Sequence, residues 1–525
     1  MKGLTSNATL GALFDHLAAC QNNTVALRDP EGNSVTYGQF QRRIRKLCAA
    51  VAARGVSKGS RVAVLAKNSV EYAEVFGLVQ LGLVIVPLNW RLDRDTLHDL
   101  LADCAPEVLI VDREHHDVIQ GFAAKLNSLK LALCFDGPET GFGSYEAVLN
   151  EDNGPAMLPD VEIDDPASII YTSGTTGQPK GAVISHRSAM ANMRISQANL
   201  LQLGDGDRVL AAMPFFHVGG LWYHFFASFG AGRETTVLPE FDPLAVLEAL
   251  KRDRITVVHL VPTMVSALLG HDTFRPEDLR DLRRVFYAGS PMPTALLRRA
   301  MAALGSCEFL QSYGSTEAGI ISALTPEHHQ MALQEDEGQL LRSCGVPVAG
   351  CEVRIAGDEG AKGQGEIGEI EVRGDGVFRG YWERPDATED VCLSGWVRTG
   401  DLGYLDNEGF LFLVDRKNDM IVTGGENVFP TEVEDHLLRL DGVAEAAVFG
   451  TPHPRWIEQV TAIVVPAQGR SLQVDDLKEK LRQELAHYKC PKEIFIADAL
   501  PKNGVGKVVR ARLREIYGKP EEGMQ

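Results

Sequence analysis

The sequence predicts an α/β protein in more than one piece: a large N-terminal domain of layered α/β subdomains with a small β-barrel-like subdomain, then a small α+β C-terminal domain. Three observations lead there. The chain has 525 residues, more than one hydrophobic core usually supports. Short apolar runs of strand type alternate with segments of helical spacing through the first three hundred or so residues. After about residue 335 the texture changes to short β-type runs with glycine turns, as in "GEIGEIEVRG" (Gly365 to Gly374).

Taken in order, "RVAVLA" (Arg61 to Ala66) is a buried strand, "SVEYAEVFGLVQLG" a helix behind a serine cap, and "LVIVPLN" again a strand, which together make a βαβ unit. "SIIYT" predicts a strand, the segment from Ser185 to about Leu200 a helix, and "RVLAAMP" and "ITVVHLVP" two more strands. A final unit starts near "DRKNDMIVTGGENVFP". In it "VAEAAVFG" and "VTAIVVP" are strands and "VDDLKEKLRQELA" a helix, an α+β domain of about a hundred residues. The expected division is 1–417 and 418–525.

The composition, 45% hydrophobic and 23% charged, is that of an ordinary globular protein. A net charge of −19 makes nucleic acid a poor partner, since backbone phosphates are held by basic surfaces. One basic stretch stands out: from His487 to Lys519 eight Lys/Arg face three Asp/Glu, a net of +5. It is either a solvated face or a site for a small polyanion. Nine scattered cysteines without a C-x-x-C pair argue against a disulfide framework or a zinc site and for reduced core thiols. The first twenty residues carry one basic residue and reach Asp15 before a signal-type apolar region is complete, and the longest apolar run, Val75 to Leu88, falls short of a membrane span of ~20 residues. The expected location is the cytoplasm.

Chemistry concentrates in "YTSGTTGQPKG" (Tyr171 to Gly181). Glycine-freed amides, hydroxyls and one lysine make a concave set of donors suited to phosphate oxygens. A helix beginning near Ser185 adds its positive end if the fold brings it to the loop, a distance the sequence does not give. The Walker pattern is absent, because "QPKGA" follows Gly177. From these residues alone, a plain Ser/Thr/Gly turn stays open.

The loop has company. In order, "YTSGTTGQPKG", "PFFHVGG" (Pro214 to Gly220), "QSYGSTEAG" (Gln311 to Gly319), "RTGDLG" (Arg398 to Gly403), "DRKNDMI" (Asp415 to Ile421) and "PKNGVGKVVR" (Pro501 to Arg510) resemble the motif series of the adenylate-forming (ANL) superfamily, and within it the acyl-CoA synthetase or fatty-acid–CoA ligase family. The resemblance covers essentially the whole chain. It implies two half-reactions: a carboxylate attacks the α-phosphorus of ATP to give acyl-AMP and pyrophosphate, and the thiol of coenzyme A then displaces AMP. An anion approaching a tetra-anion at ~4 Å costs several kcal/mol per like-charge contact, so Mg²⁺ and cationic side chains are required.

By matching position, the resemblance assigns Thr172, Ser173, Gly174, Thr175, Thr176, Gly177 and Lys180 to the β- and γ-phosphates, Glu317 to Mg²⁺ and Thr316 to the α-phosphate or acyl carboxylate. Tyr313 stacks on adenine, Gly289 and Ser290 are counted among the nucleotide-binding residues, and Asp401 and Arg416 take the ribose. Lys507 bridges acyl carboxylate and α-phosphate, and its acetylation is expected to switch adenylation off by removing the charge. Asn418 stands at the hinge of the moving C-terminal domain, where the family usually carries Asp or Lys. Gly424 and Gly425 line the pantetheine passage. Without the family, Glu317 is a capping residue, Tyr313 a core tyrosine, Asp401 and Arg416 a solvated ion pair, and Lys507 a surface lysine.

His217 borders the acyl site in the family, and Gly219, Gly220 and Gly289 leave space there, with Ser312 in place of a frequent glycine. An amino acid is not expected, because Phe216 is followed by His217 and not by aspartate. The pocket is expected to be open and mainly apolar, favouring a medium- or long-chain fatty acid at roughly 0.8 kcal/mol per buried CH₂. A hydroxycinnamate- or benzoate-type acid is the alternative, as is acyl transfer to a carrier protein. Luciferase-like oxygenation, an ADP-forming kinase and a scaffold without turnover rank below these. Assembly as a homodimer is left open.

Overall fold

The computed structural model describes residues 3–5, 7–172, 179–290, 292–334, 339–357, 360–417, 419–467, 469–502 and 508–518. The chain forms two compact units of mixed α/β structure. The larger comprises Met1–Val353, Glu371–Thr399 and Gly409–Leu411; the smaller comprises Arg354–Ile370, Gly400–Glu408 and Phe412–Gln525.

Two sheets organise the larger unit. One runs Gly380–Tyr381, Lys180–Ser185, Pro166–Thr172, Val84–Pro87, Arg61–Leu65, Val108–Val111, Leu131–Cys134, Gly143–Ser144. It is parallel except for the hairpin Pro166–Thr172/Lys180–Ser185 and the edge pair with Gly380–Tyr381. The βαβ unit forms as the sequence predicts: Ser69 accepts from Tyr72 N at 3.0 Å to cap Val70–Val75, which continues as a tighter 3₁₀ run to Leu81. Strands buried on both faces need apolar cover. Leu97, Leu101 and Cys104 of the helix Arg94–Cys104 and Ile119 of Arg113–Ala123 supply it over Ala63, Leu65, Leu109 and Val111.

The second sheet runs Val346–Pro347, Gly319–Leu324, Glu308–Ser315, Arg284–Tyr287, Val257–Leu260, Arg208–Ala211, Glu234–Val237, Val25–Arg28, Ser34–Thr36. Its five central pairs are parallel. Buried Asn68 stitches the two sheets together, donating to Met213 O at 2.9 Å and accepting from Phe215 N at 2.8 Å. The aromatic segment after His217 is entirely buried. Trp222, Phe226 and Phe229 pack with Phe14, Phe40 and Phe76, and Phe225 with Phe226 and Phe229, at ring separations between 4.8 and 6.3 Å that suit edge and tilted contacts.

In the smaller unit the hairpin Val443–His453/Ile457–Pro466 pairs with Ile421–Thr423 and Glu493–Ile496. Side chains alternate between two cores. Val448, Val460 and Val464 face a cluster with Val433, Leu437, Leu477 and Leu481, while Ala447, Phe449 and Ile463 meet Leu513. This is the α+β pattern the sequence predicts.

All nine cysteines are free, six of them buried, and Cys20 is the exposed exception to the core-thiol expectation. Among the described residues no helix is long and apolar enough to cross a membrane.

Candidate active site

The strands Pro166–Thr172 and Lys180–Ser185 hold the neck of the hydroxyl- and glycine-rich loop, with Thr172 paired to Lys180 in register. Ser173, Gly174, Thr175, Thr176 and Gly177 lie outside the described residues. The neck itself is informative. Thr172 Oγ1 donates to Glu317 Oε1 at 3.1 Å, Tyr381 OH donates to the same oxygen at 3.0 Å, and Lys180 Nζ stands 5.2 Å from the centre of the Tyr381 ring. Burial, followed by the Glu317 charge, pushes the Tyr381 hydroxyl well above its ordinary pKa, so it stays a donor. Two hydroxyls thus meet on one carboxylate oxygen, with the Lys180 ammonium over the ring that carries one of them.

The helix after the loop is capped by Ser185, which accepts from Ser188 N in a capping box, and Ser185 pairs with Pro166 at the far end of the hairpin. Five residues of strand at about 3.3 Å each separate that helix end from the neck at Thr172 and Lys180.

Glu317 is held by a built turn. The strands Glu308–Ser315 and Gly319–Leu324 form an antiparallel hairpin with a register break between Tyr313 and Gly314, and Ser315 Oγ accepts from Ala318 N at 3.0 Å. Gly319 has φ +73°, and a Cβ there would lie 2.6 Å from Gly376 O; at Gly314 it would lie 2.2 Å from Gly319 O. Asn192 Oδ1 accepts from Ile320 N at 2.9 Å while its amide donates to Gly376 O at 2.7 Å, and Tyr223 OH donates to Ser315 O at 2.9 Å. Thr316 is buried inside this turn, and Tyr313 is half-buried on the strand leading into it.

Sequence reasoning missed Tyr381, Asn192 and Tyr223. Tyr381 stands 64 residues from Glu317, and no local spacing joins them. A polar residue on the apolar face of "HRSAMANMRI" was the available signal for Asn192.

His217, which the sequence leads one to expect at the acyl site, caps the short turn Val218–Gly220, its Nδ1 accepting from Gly219 N at 3.3 Å. Gly219 faces two imidazoles: an added Cβ would sit 3.4 Å from His217 Nδ1 and 3.5 Å from His259 Cε1. Gly220 opens no space, contrary to the sequence expectation, because Pro214 O and Met213 Cβ lie 2.6 and 2.8 Å from where its Cβ would be. Gly289 is exposed at φ +91°, Ser290 follows it half-buried, and Ser312 is buried.

In the smaller unit Arg416 Nε meets Asp401 Oδ1 at 3.1 Å, with Asp401 buried and Arg416 half exposed. Gly424 and Gly425, at φ +62° and +90°, form the two-residue turn between Ile421–Thr423 and Glu426–Val428, a demand that by itself explains glycine at both places. Asn418 and Lys507 lie outside the described residues. Of the basic stretch, Lys489 pairs with Glu432, Lys502 with Glu445, Arg510 with Glu434 and Asp419, and Arg514 with Asp419, which offsets half of its eight positive charges within the unit. That favours the structural reading for those four.

A metal held by this chain needs hard oxygen donors. Among the described residues no group of three or more His, Cys, Asp or Glu is arranged to hold a metal ion, and the Thr172, Glu317 and Tyr381 oxygens fit an ion that takes one carboxylate and otherwise phosphates, as Mg²⁺ does.

Residues 14–382 match the AMP-binding enzyme family and residues 432–507 its C-terminal domain family. The indoleacetate–CoA ligase of Aromatoleum aromaticum is 36% identical, over 97% of this chain and 98% of that protein. The feruloyl-CoA synthase of an Amycolatopsis species is 38% identical over 93% and 95%, and the long-chain-fatty-acid–CoA ligase FadD13 of Mycobacterium tuberculosis 34% identical over 92% and 93%. The crystal structure of ATP-bound MatB from Rhodopseudomonas palustris superposes with a TM-score of 0.87 at 30% identity, covering 98% of this chain and 99% of that one. The chain therefore belongs to the AMP-binding enzymes of the adenylate-forming superfamily and is an AMP-forming acyl-CoA synthetase, an acid–CoA ligase that works with ATP, Mg²⁺ and coenzyme A.

Proposed function

We propose that the chain activates a carboxylic acid with an extended apolar or aromatic body, with the residues at the loop neck holding the triphosphate. The carrying observation is the meeting of Thr172, Tyr381 and Glu317 beside Lys180. Lys180 and the hydroxyls of Thr172, Ser173, Thr175 and Thr176 hold the β- and γ-phosphates, with Gly174 and Gly177 allowing close approach of the backbone. Glu317, kept in place by two donors on Oε1, offers its carboxylate to Mg²⁺. When bound there, Mg²⁺ neutralises phosphate charge as the acid approaches. Thr316 contacts the α-phosphate or the acyl carboxylate, Tyr313 stacks on adenine with Gly289 and Ser290 beside it, and Asp401 and Arg416 take the ribose hydroxyls.

A carboxylate oxygen forms the bond to the α-phosphorus and pyrophosphate leaves. The sulfur of coenzyme A then bonds to the acyl carbon, gives up its proton, and AMP departs with the former carboxylate oxygen. Lys507 offsets the repulsion of the first step. Asn418 is the hinge between the half-reactions, in a division of the chain at 417/418. Gly424 and Gly425 flank the pantetheine path.

For the acid, relatives named for aromatic and for fatty substrates bracket the choice between a hydroxycinnamate- or benzoate-type acid and a medium- or long-chain fatty acid. Dependence on ATP and coenzyme A fits a cytoplasmic enzyme. Lys507→Ala is expected to lower acyl-AMP formation at least about a hundredfold while thioester formation from supplied acyl-AMP stays within a few-fold. Equal loss in both assays contradicts the role given to Lys507.

A further inference from the structure

Beneath Gly219 lies a feature that adenylation does not use. His224 and His259 are buried, with 0% and 2% of their surface exposed, and their ring centres are 5.4 Å apart. None of their four ring nitrogens meets hydrogen-bond geometry with a described residue, the nearest approach being the Gly219 backbone, which raises the His259 pKa against the larger effect of burial. The sequence context explains why they are inside. His259 lies on the central strand Val257–Leu260, in register with Phe286 and stacked on its ring at 4.2 Å, and His224 belongs to the π-helical turn Leu221–Phe225 within the aromatic core.

Leaving several buried polar atoms without partners is expensive, and native cores seldom do so without a reason. Apolar residues of similar size would have filled this space at no such cost. His259 also borders the glycine assigned to the acyl site. His259 is 3.5 Å from the position of a Gly219 Cβ, and the same point is 3.4 Å from His217. We infer that His224 and His259 form a polar floor of the acyl site and receive a neutral hydroxyl at the far end of the acid, so that the substrate class is a hydroxyl-bearing acid and not a plain alkanoate. This rests on the acid–CoA ligase reading above.

The donor count selects the hydroxyl. A neutral imidazole offers one donor and one acceptor, and one hydroxyl can donate to one ring while accepting from the other. A second carboxylate only accepts and wants a protonated ring, which burial opposes: the His224 pKa is driven down to about 3 by burial, and that of His259 well below its ordinary value by burial, then by His224 and His217. An aryl ring carrying the hydroxyl and an aliphatic ω-hydroxyl share this chemistry, and the experiment separates them.

The test is kcat/KM of the intact enzyme with coenzyme A for matched acids: cinnamate against 4-hydroxycinnamate and 4-carboxycinnamate, and decanoate against 10-hydroxydecanoate. Within one series the hydroxylated acid should win by about ten- to a hundredfold, the cost of leaving buried partners unmet. The carboxylated analogue should fall below both cinnamates. Whichever series shows the preference identifies the scaffold. His259→Phe and, separately, His224→Phe should bring that ratio close to one, with the change mainly in KM. Equal use of hydroxylated and plain acids by the wild type, or a ratio untouched in both variants, overturns the inference and leaves the pair holding an internal water only. Absence of AMP and pyrophosphate with every acid sinks the ligase reading instead, a separate outcome.

Discussion

At the scale of single residues the strongest statement concerns Tyr381. Its hydroxyl and that of Thr172 converge on Glu317 Oε1, so the carboxylate is oriented from two strands of one sheet. A hydrogen bond to a charged group is worth about 1.5–3 kcal/mol. Tyr381→Phe should therefore slow acyl-AMP formation by roughly tenfold or more and raise the Mg²⁺ concentration giving half-maximal rate. A variant with unaltered Mg²⁺ dependence removes Tyr381 from the site. The residue also shows where reading a sequence stops. Glu317, Thr172 and Lys180 are legible because each sits in a dense local motif. Tyr381 becomes a partner only through an edge strand that returns to the sheet two hundred residues after Lys180, and nothing local records that pairing.

Among the elements, the turn carrying Thr316 and Glu317 is shaped by backbone approach more than by side-chain packing. Gly319→Ala has to place a methyl against Gly376 O in a left-handed conformation that costs an L-residue about 1–2 kcal/mol before any clash is counted. The expected result is a lower melting temperature together with a loss of adenylation larger than the fraction unfolded explains; full activity with unchanged melting contradicts this account of the turn. Helices and strands were largely legible, since caps at Ser69 and Ser185 and runs such as "RVAVLA" carry their own instructions. Two things were not. The helix end at Ser185 is separated from the Thr172/Lys180 neck by the length of a strand, and Gly424–Gly425 is accounted for by turn geometry, which competes with the reading of a tunnel wall.

For the whole molecule, four buried histidines held neutral make the larger unit sensitive to acid. His186 accepts from Leu10 N at 3.3 Å, and His329 lies between Thr325 O and the Tyr287 hydroxyl. Burial lowers His186 and His329 to about 4 and His224 to about 3, and takes His259 well below its ordinary value. Between pH 6.5 and about 4 the unfolded chain binds protons that the folded one refuses, so stability rises with pH there, by about 1.4 kcal/mol per group and pH unit. The denaturant midpoint should drop on going from pH 7 to pH 5, and His186→Phe should make that drop shallower; identical slopes for wild type and variant would count against it. Joining an acid to AMP with release of pyrophosphate is a reversible step, and isotope exchange between ATP and labelled pyrophosphate, run without coenzyme A over fatty, aromatic and hydroxylated acids, reads it out. Label should enter ATP only when a suitable acid is present, and Glu317→Gln should abolish the exchange; release of ADP and phosphate, or exchange that ignores the acid, would contradict this chemistry.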